Sequence, residues 1–423
     1  MRSLAVTMLL SVGMGLAVAG GGVSAQAENP DNPQVVHLEP FHGPKVIDLT
    51  HFGNCQWLSP RREPNEPLVS EPVYGSGKRV YYAARYGDAK DNTYTFVIDE
   101  SAGADTGFNT LYADLNNDNR LDPENEKFAL TLSGLTTKEA RNVPITLSVS
   151  SGGKTFPYSF DFAAFRYSDR EHPIEKIHAT CRESSIMRGE AMFEDRRCKV
   201  ALADLDSNGL FNNYEQGLFR GDRFFVDLDG NGTFQTGSGG EESFPYAQHA
   251  KIGSRWYTVE ASPDGGTVQI RPSRPTFGII KSPGSVKSVG LSSPKQFQSL
   301  EFKDGKVEAL SGEYQVRDIA LEMVGKDGQG WSTRGQYRSA GPKITIEPNR
   351  EAMLNDVQPL TIQVAVLPAS EANTIDLEPR IVDRYGGSFS TLRKDNQRHE
   401  PPARLVIKDF DGKQIADAAL EYG

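Results

Sequence analysis

Cysteine is scarce in this chain, with three residues among 423. So few thiols exclude a small fold that is stapled by several disulfides. Histidine and tryptophan are also rare, with seven and three residues, and no zinc-protease, hydrolase or phosphate-loop motif is found. The chain is therefore not predicted to be an enzyme, although catalytic carboxylates that meet only in space would leave no sequence motif.

Positive charge is in deficit, since 46 Lys and Arg stand against 56 Asp and Glu and give a formal net charge of −10. A nucleic-acid-binding surface needs the opposite balance, so no nucleic-acid partner is predicted. Hydrophobic residues make up 37% of the chain. This share is enough for a buried core and argues against wholesale disorder.

Long apolar runs are missing except at the N-terminus. There, Arg2 precedes the apolar run Leu4–Val18, and cleavage-like small residues follow at Val23-Ser24-Ala25 and Ala25-Gln26-Ala27. This pattern predicts a signal peptide over residues 1–27 and a secreted or periplasmic mature protein. No later run approaches the length of a membrane span, so no transmembrane segment is predicted in the mature chain.

Helical periodicity is also scarce, whereas 41 Gly and 25 Pro favour short strands joined by turns. We predict an all-β protein with a strand-flanked loop domain followed by a β-sandwich domain. The predicted units are a Pro-rich arm with one or two edge strands (28–78), a first β domain (79–271), a linker (272–294) and a C-terminal β-sandwich (295–423). Near the end of the chain, Asp411-Gly412 predicts the turn of a hairpin.

One short pattern occurs three times and begins at Asp114, Asp204 and Asp227. Each copy has oxygen-bearing side chains at positions 1, 3, 5 and 9, Gly or Asn at position 6, and Leu or Phe at position 8. Calcium explains these choices, because it takes about six to eight oxygen ligands and needs a sharp backbone turn at the sixth residue. Turn formation by Asp, Asn and Gly alone is the alternative for any single copy.

On these residues the copies resemble the EF-hand calcium loop. The resemblance implies Ca²⁺ ligands in the second copy at Asp204, Asp206, Asn208, Leu210 (carbonyl), Asn212 and Glu215. It implies ligands in the first copy at Asp114, Asn116, Asp118, Arg120 (carbonyl) and Asp122, and in the third at Asp227, Asp229, Asn231, Thr233 (carbonyl) and Gln235.

The twelfth-position carboxylate of the EF-hand loop is present only in the second copy. The first copy has Asn125 there, between Glu124 and Glu126, and the third has Ser238, with Glu241 and Glu242 beyond it. The residues that enter the loops also read as strands rather than helices. The loops are therefore similar to the strand-flanked calcium loops of exported bacterial β-rich proteins, which implies structural calcium rather than signalling.

Two other features carry weaker expectations. Cys181 and Cys198, seventeen positions apart on what read as neighbouring strands, are the candidate disulfide pair, and closing that loop would contribute about 3 kcal/mol. Two buried thiols, or a zinc site that includes His178, are the alternatives. The tripeptide Arg220-Gly221-Asp222 falls between two loops and predicts only a turn.

Taken together, the pattern predicts an exported calcium-binding protein with a structural or interaction role in the cell envelope or extracellular space. Its partner, a protein or a glycan, is left open. The alternative function is a carbohydrate-binding or carbohydrate-processing accessory, for which Trp57, Trp256 and Trp331 would supply aromatic faces.

Overall fold

The computed structural model describes residues 33–41, 55–75, 78–100, 108–131, 133–134, 142–166, 177–183, 186–214, 221–235, 242–324, 328–337, 341–368, 375–389, 392–394, 404–408 and 411–419. In these ranges the regular structure is entirely β, with strands numbered β1 to β32 in chain order and no helix. The all-β prediction is confirmed. The predicted signal peptide, residues 1–27, lies outside the described residues.

Four mainly antiparallel sheets form the first part of the molecule. The first sheet contains, in spatial order, β1 (Gln34–His37), β18 (Thr267–Ser273), β17 (Arg255–Ala261) and β16 (Ala250–Ile252). The second contains, in the same kind of order, β3 (Gln56–Leu58), β11 (Ile177–Glu183), β10 (Lys154–Arg166) and β8 (Ser133–Gly134). In this second sheet β9 (Val143–Ser151) also pairs with β10. The other two contain β15 (Ser243–Pro245), β14 (Arg223–Val226), β13 (Arg196–Ala203), β12 (Ile186–Phe193) and β2 (Glu39–Phe41), and then β4 (Arg79–Arg85), β5 (Thr93–Asp99), β6 (Thr110–Ala113) and β7 (Lys127–Ala129).

Three further sheets follow. One contains β22 (Lys306–Leu310), β19 (Phe277–Lys281) and β26 (Glu351–Met353), and a large one contains β21 (Gln296–Glu301), β20 (Val286–Ser293), β23 (Gly312–Val324), β24 (Gly330–Gln336), β29 (Ser388–Phe389), β28 (Ile375–Val382) and β27 (Thr361–Pro368). Two short strands extend the large sheet, β25 (Lys343–Ile346) on β23 and β30 (Arg393–Lys394) on β24. The last sheet is the predicted hairpin around Asp411-Gly412, made of β31 (Arg404–Lys408) and β32 (Gln414–Ala419).

Among the described residues, two large hydrophobic cores, with two smaller buried clusters, lie beneath the sheets that precede the hairpin. The first joins all four of the early sheets, to which Phe96, Phe160, Val200 and Val268 contribute fully buried side chains. The second lies between the three-stranded and the nine-stranded sheet, where Ile280 faces residues of β20 and β23. Two sheets that share one core in this way form the layered arrangement of a β-sandwich.

The predicted arm and the predicted linker both contain strands. Strands β1, β2 and β3 of the arm form edge strands of three different sheets. The arm is therefore part of the sheets that enclose the first core. Residues 272–294, predicted to be a linker, contain the end of β18, all of β19 and most of β20. Proline is accommodated there because it falls at strand ends and in turns, where its missing N–H costs no sheet hydrogen bond.

Candidate metal centre

All three repeats begin where a buried strand ends. Asp114 follows β6, Asp204 follows β13 and Asp227 follows β14, and each aspartate is at most 3% exposed. The apolar residue at position 8 of each loop, which is Leu121, Phe211 or Phe234, is also buried. Each loop is thus held in place by the strand before it and by a buried apolar side chain at position 8.

The three loops share one backbone conformation. Position 6 has positive φ in every copy, at 60° for Asn119, 83° for Gly209 and 85° for Gly232, which confirms the predicted sharp turn. Position 4 is left-handed as well, in Asn117, Ser207 and Gly230, a feature that the sequence pattern did not reveal. Two left-handed residues in one short loop curl the chain around a point next to the first aspartate.

The first aspartate of each loop accepts the backbone N–H of position 6. The carboxylate oxygens lie 3.0 Å from Asn119 N in the first loop, 2.7 Å from Gly209 N in the second and 2.9 Å from Gly232 N in the third. A second backbone N–H binds the other oxygen of each aspartate. These bonds fix the aspartate at the centre of the loop and leave further lone pairs on both oxygens.

A second carboxylate closes each loop from just before the next strand. Glu126 accepts the N–H groups of Leu115 (2.9 Å) and Asp122 (2.8 Å), at positions 2 and 9 of the first loop. Glu242 does the same in the third loop, through Leu228 (2.8 Å) and Gln235 (2.9 Å).

In the second loop the closing residue is Asp222, which accepts the N–H of Asn213 at 2.6 Å. Asp222 is fully buried, and sequence reasoning assigned it only to a turn. Its backbone also pairs with the loop, because its N–H donates to the carbonyl of Asn213 at 2.9 Å. Asp222 therefore belongs to this centre.

Antiparallel pairing explains why these carboxylates meet. Ala203, the last residue of β13, pairs with Arg223, the first residue of β14, so Asp204 and Asp222 lie side by side at the same end of the ladder. In the other two loops the closing acid lies one residue further along the ladder: Glu242 is opposite Val226 and Glu126 is opposite Ala113, each next to the first aspartate of its loop. An acid immediately before the returning strand is the sequence signal that would have identified all three.

Two of the loops gather three carboxylates within metal-binding distance. Among the described residues, oxygens of Asp204, Asp206 and Asp222 all lie within 4.8 Å of one another, as do oxygens of Asp227, Asp229 and Glu242. The first loop brings Asp114 and Glu126 together, but it does not form a third group of this kind. Its predicted position-9 ligand, Asp122, instead accepts hydrogen bonds from Glu124 N and Asn125 Nδ2.

The remaining predicted ligands line the loops, although not all of them point free oxygens inward. Asn208 Oδ1 accepts the N–H of Leu210, and Asp118 Oδ1 that of Arg120. In the third loop, Asn231 Oδ1 binds both donors of Thr233. Three other predicted side-chain ligands lie within the described residues. Asn116 forms hydrogen bonds with Asp118, Gln235 forms one with Asp229, and the third is Asn212. Glu215, the predicted twelfth-position ligand of the second loop, lies outside the described residues.

Burial makes Asp204, Asp114 and Glu126 costly to ionise without a cation. Burial raises the pKa of Asp204 well above its usual range, and the neighbouring Asp206 carboxylate raises it further. Burial also raises the pKa of Asp114 and of Glu126, against the lowering effect of their backbone hydrogen bonds. A divalent cation would remove this penalty, because it supplies positive charge where water is excluded.

The Pro-rich arm contacts two of the loops directly. Gln56 Nε2 donates to the Ser207 carbonyl at 2.6 Å in the second loop. In the first loop, Val69 N donates to the Asn119 carbonyl at 2.7 Å, and Leu121 N donates to the Ser70 carbonyl at 3.1 Å. The arm therefore forms hydrogen bonds with the backbone of the loops at position 4 of the second loop and at positions 6 and 8 of the first.

The predicted disulfide is not formed. Cys181 lies on β11 and Cys198 on β13, which belong to two different sheets, and both are buried free thiols. Burial raises the pKa of the Cys181 thiol to about 12. His178, considered as a zinc ligand beside Cys181, stacks on Phe165 with ring centroids 6.2 Å apart.

The three tryptophans do not form a common aromatic row. Trp57 is 64% exposed and meets Phe165 edge-on, whereas Trp256 packs against Phe277. Trp331 lines a shallow groove of about 710 Å³ on β23 and β24, with Lys394 Nζ 5.9 Å from the centre of its ring.

The comparisons with known proteins found no match for this chain. The chain matches no protein-family model, and neither a curated protein nor a solved structure matches it. Within the described ranges there is also no apolar helix that could cross a membrane.

Proposed function

We propose that this chain is an exported calcium-binding protein in which Ca²⁺ fixes the strand-connecting loops and, through them, the N-terminal arm. The observation that carries the proposal is the repeated pairing of a buried aspartate after one strand with an acid before the next. In the Asp204 and Asp227 loops a third carboxylate joins the pair. Three carboxylates packed this closely repel one another unless a cation lies between them.

The oxygen-only ligand set favours calcium over softer metals. The clusters contain no histidine and no thiol, whereas zinc and copper prefer nitrogen and sulfur ligands. Short side chains on a curling backbone also supply the irregular, high coordination that calcium accepts and magnesium does not. An extracellular or periplasmic location, as the signal sequence predicts, would expose the loops to enough calcium for sites of millimolar affinity to fill.

Calorimetric titration of the metal-free protein tests this proposal. We expect saturable Ca²⁺ binding at two or more sites and much weaker binding of Mg²⁺. Asp204→Asn should lose one site, because it removes the charge at the centre of the second loop. Asp264→Asn is the matched control, since Asp264 caps a turn by bonding Ser262 and Gly266 and belongs to neither carboxylate group. A titration without Ca²⁺ heat, or equal site loss in both variants, would contradict the proposal.

A second candidate function, carbohydrate binding, has one observation in its favour. The groove beside Trp331 combines that ring with polar groups from Glu322, Ser285 and Ser332, and an aromatic face with flanking hydrogen-bonding groups suits a sugar ring. A glycan-binding screen of the wild-type protein and of Trp331→Ala separates this function from calcium binding. Loss of a glycan signal in the variant, with Ca²⁺ titration unchanged, would support it.

A further inference from the structure

The outermost strand of the nine-stranded sheet, β27, lacks the usual protection of a sheet edge. It pairs with β28 on one side, and no described strand pairs with its other side. Natural edge strands are normally protected by charged residues, an internal proline or a bulge. β27 has the sequence TIQVAVLP, with no charge and with proline only at its last position, and its register with β28 is unbroken.

One face of this edge strand is apolar and open to water. Ile362, Val364 and Val366 alternate along it and are 69%, 45% and 65% exposed. Directly across from the first two, β28 presents Ile381 and Pro379 on the same face. The opposite face is polar, because Arg380 and Glu378 form an ion pair there at 2.9 Å beside Gln363 and Ala365.

The apolar stripe is complementary to itself. If two copies of β27 run antiparallel and are centred on Val364, then Ile362 lies opposite Val366 of the second copy, and the two Val364 side chains meet on the axis. No charged residue opposes another charged residue in this register, since the strand carries none. A two-fold interface requires a surface that matches itself, and this register places apolar side chains opposite apolar side chains on the exposed face.

We propose that β27 is a homodimer interface, in which two copies of the chain pair edge to edge and join their nine-stranded sheets. Pairing satisfies the open backbone groups of both edges and brings the two apolar stripes into lateral contact, which removes part of their surface from water. Because one strand pair buries less area than a standard stable interface, the dimer is weak and concentration-dependent. The interface lies at the edge of the nine-stranded sheet and contains no calcium loop, so it does not depend on the proposed function.

Sedimentation velocity over about 1 to 200 μM protein tests this interface, a range chosen for an interface below standard size. The wild-type protein should shift from monomer to dimer, with the same midpoint in calcium and in EGTA. Val364→Lys places two like charges opposite each other on the axis and should weaken the dimer by at least about tenfold. Val73→Lys is the matched control, because Val73 is 98% exposed in the first part of the molecule.

Three outcomes would overturn the proposal. The first is a wild-type protein that stays monomeric over the whole range, and the second is equal association by Val364→Lys and wild type. The third is growth beyond the dimer, because edge pairing closes after two copies. Hydrogen exchange at β27 gives a separate check: protection that rises with protein concentration supports the dimer. Protection already complete in the monomer would show that the chain itself covers this edge, and would also overturn the proposal.

Discussion

At the scale of single residues, the candidate metal centre depends on acids that the repeat itself does not contain. Asp204 and Asp227 belong to the repeated pattern, but Asp222 and Glu242 complete the carboxylate groups from outside it. Each closing acid accepts loop N–H groups, so it holds the loop and presents oxygen at the same time. Substituting a closing acid therefore tests both its charge and its hydrogen bonds to the loop.

Glu242→Gln is expected to lower the calcium affinity of the third loop by about tenfold or more, because it removes one of three charges and keeps the side-chain shape. The amide has one acceptor oxygen, so either the Leu228 or the Gln235 N–H loses its acceptor, and the metal-free melting temperature should also fall. Calorimetric titration with thermal melting in EGTA measures both quantities. Glu308→Gln, at an exposed position on β22, should alter neither, and an equal affinity loss in both variants would count against the role of Glu242.

Gly209→Ala is expected to destabilise the protein more than Gly230→Ala, although both glycines have positive φ, 83° and 77°. Left-handed backbone costs alanine about 1 kcal/mol at either site. At Gly209 the new Cβ would also lie 3.3 Å from Tyr86 Cδ1 and 3.4 Å from Val149, whereas at Gly230 nothing lies within 4 Å. Denaturant unfolding of both variants measures the difference. Equal losses of stability would mean that packing beside Gly209 contributes nothing.

At the scale of elements, the same arrangement occurs in all three loops. It consists of a strand, a loop that begins with aspartate, a closing acid and the returning antiparallel strand. This arrangement differs from a helix-flanked calcium loop, because the sheet ladder fixes both ends of the loop before any metal binds. Large opening motions are therefore not expected. The element that metal binding can affect is the arm, whose Val69, Ser70 and Gln56 bond the first two loops.

Chelation of calcium is expected to speed hydrogen exchange at Val69 and Leu121, the two amides that join the arm to the first loop. Without the cation the acidic loop carries uncompensated charge and opens more often, and the arm opens with it. Exchange measured by mass spectrometry in calcium and in EGTA tests this. Peptides from β20, in the second core, provide the internal control and should not change. Faster exchange throughout the chain would indicate global destabilisation instead.

At the scale of the whole molecule, the acidity of the chain and the proposed calcium binding are linked. The chain has a net charge of −10, and several of its most buried acids converge on these loops. The first core contains the strands that deliver all three loops, whereas the second core contains none. Calcium should therefore stabilise the two parts of the molecule unequally.

Calcium is expected to raise the unfolding temperature of the first part of the molecule and leave that of the second part nearly unchanged. One site at a hundredfold excess over its dissociation constant contributes about 2.7 kcal/mol, which corresponds to about 5 to 10 °C for a unit of this size. Differential scanning calorimetry in EGTA and in stepwise calcium should show one transition moving. Two transitions that move together, or neither moving, would contradict the expectation.

Much of the fold was predictable because strand patterns and turns are local properties. The all-β class, the edge strands of the arm, the Asp411-Gly412 hairpin and the left-handed sixth loop position all follow from side-chain alternation and from the φ preferences of Gly and Asn. Residues 272–294, predicted to be a linker, contain strand residues of β18, β19 and β20, because proline and serine at strand ends resemble an irregular connection in sequence.

The curl of the three loops around a leading aspartate follows from the sequence, because that conformation depends on residues within about a dozen positions. Which acids close the loops, and where the cysteines lie, follows from the tertiary structure. Two pairs of residues with nearly the same separation along the chain show this: Asp204 and Asp222 are adjacent across the β13–β14 ladder, whereas Cys181 and Cys198 lie in different sheets. Strand pairing sets such distances, and it arises from the packing of whole sheets rather than from any short segment.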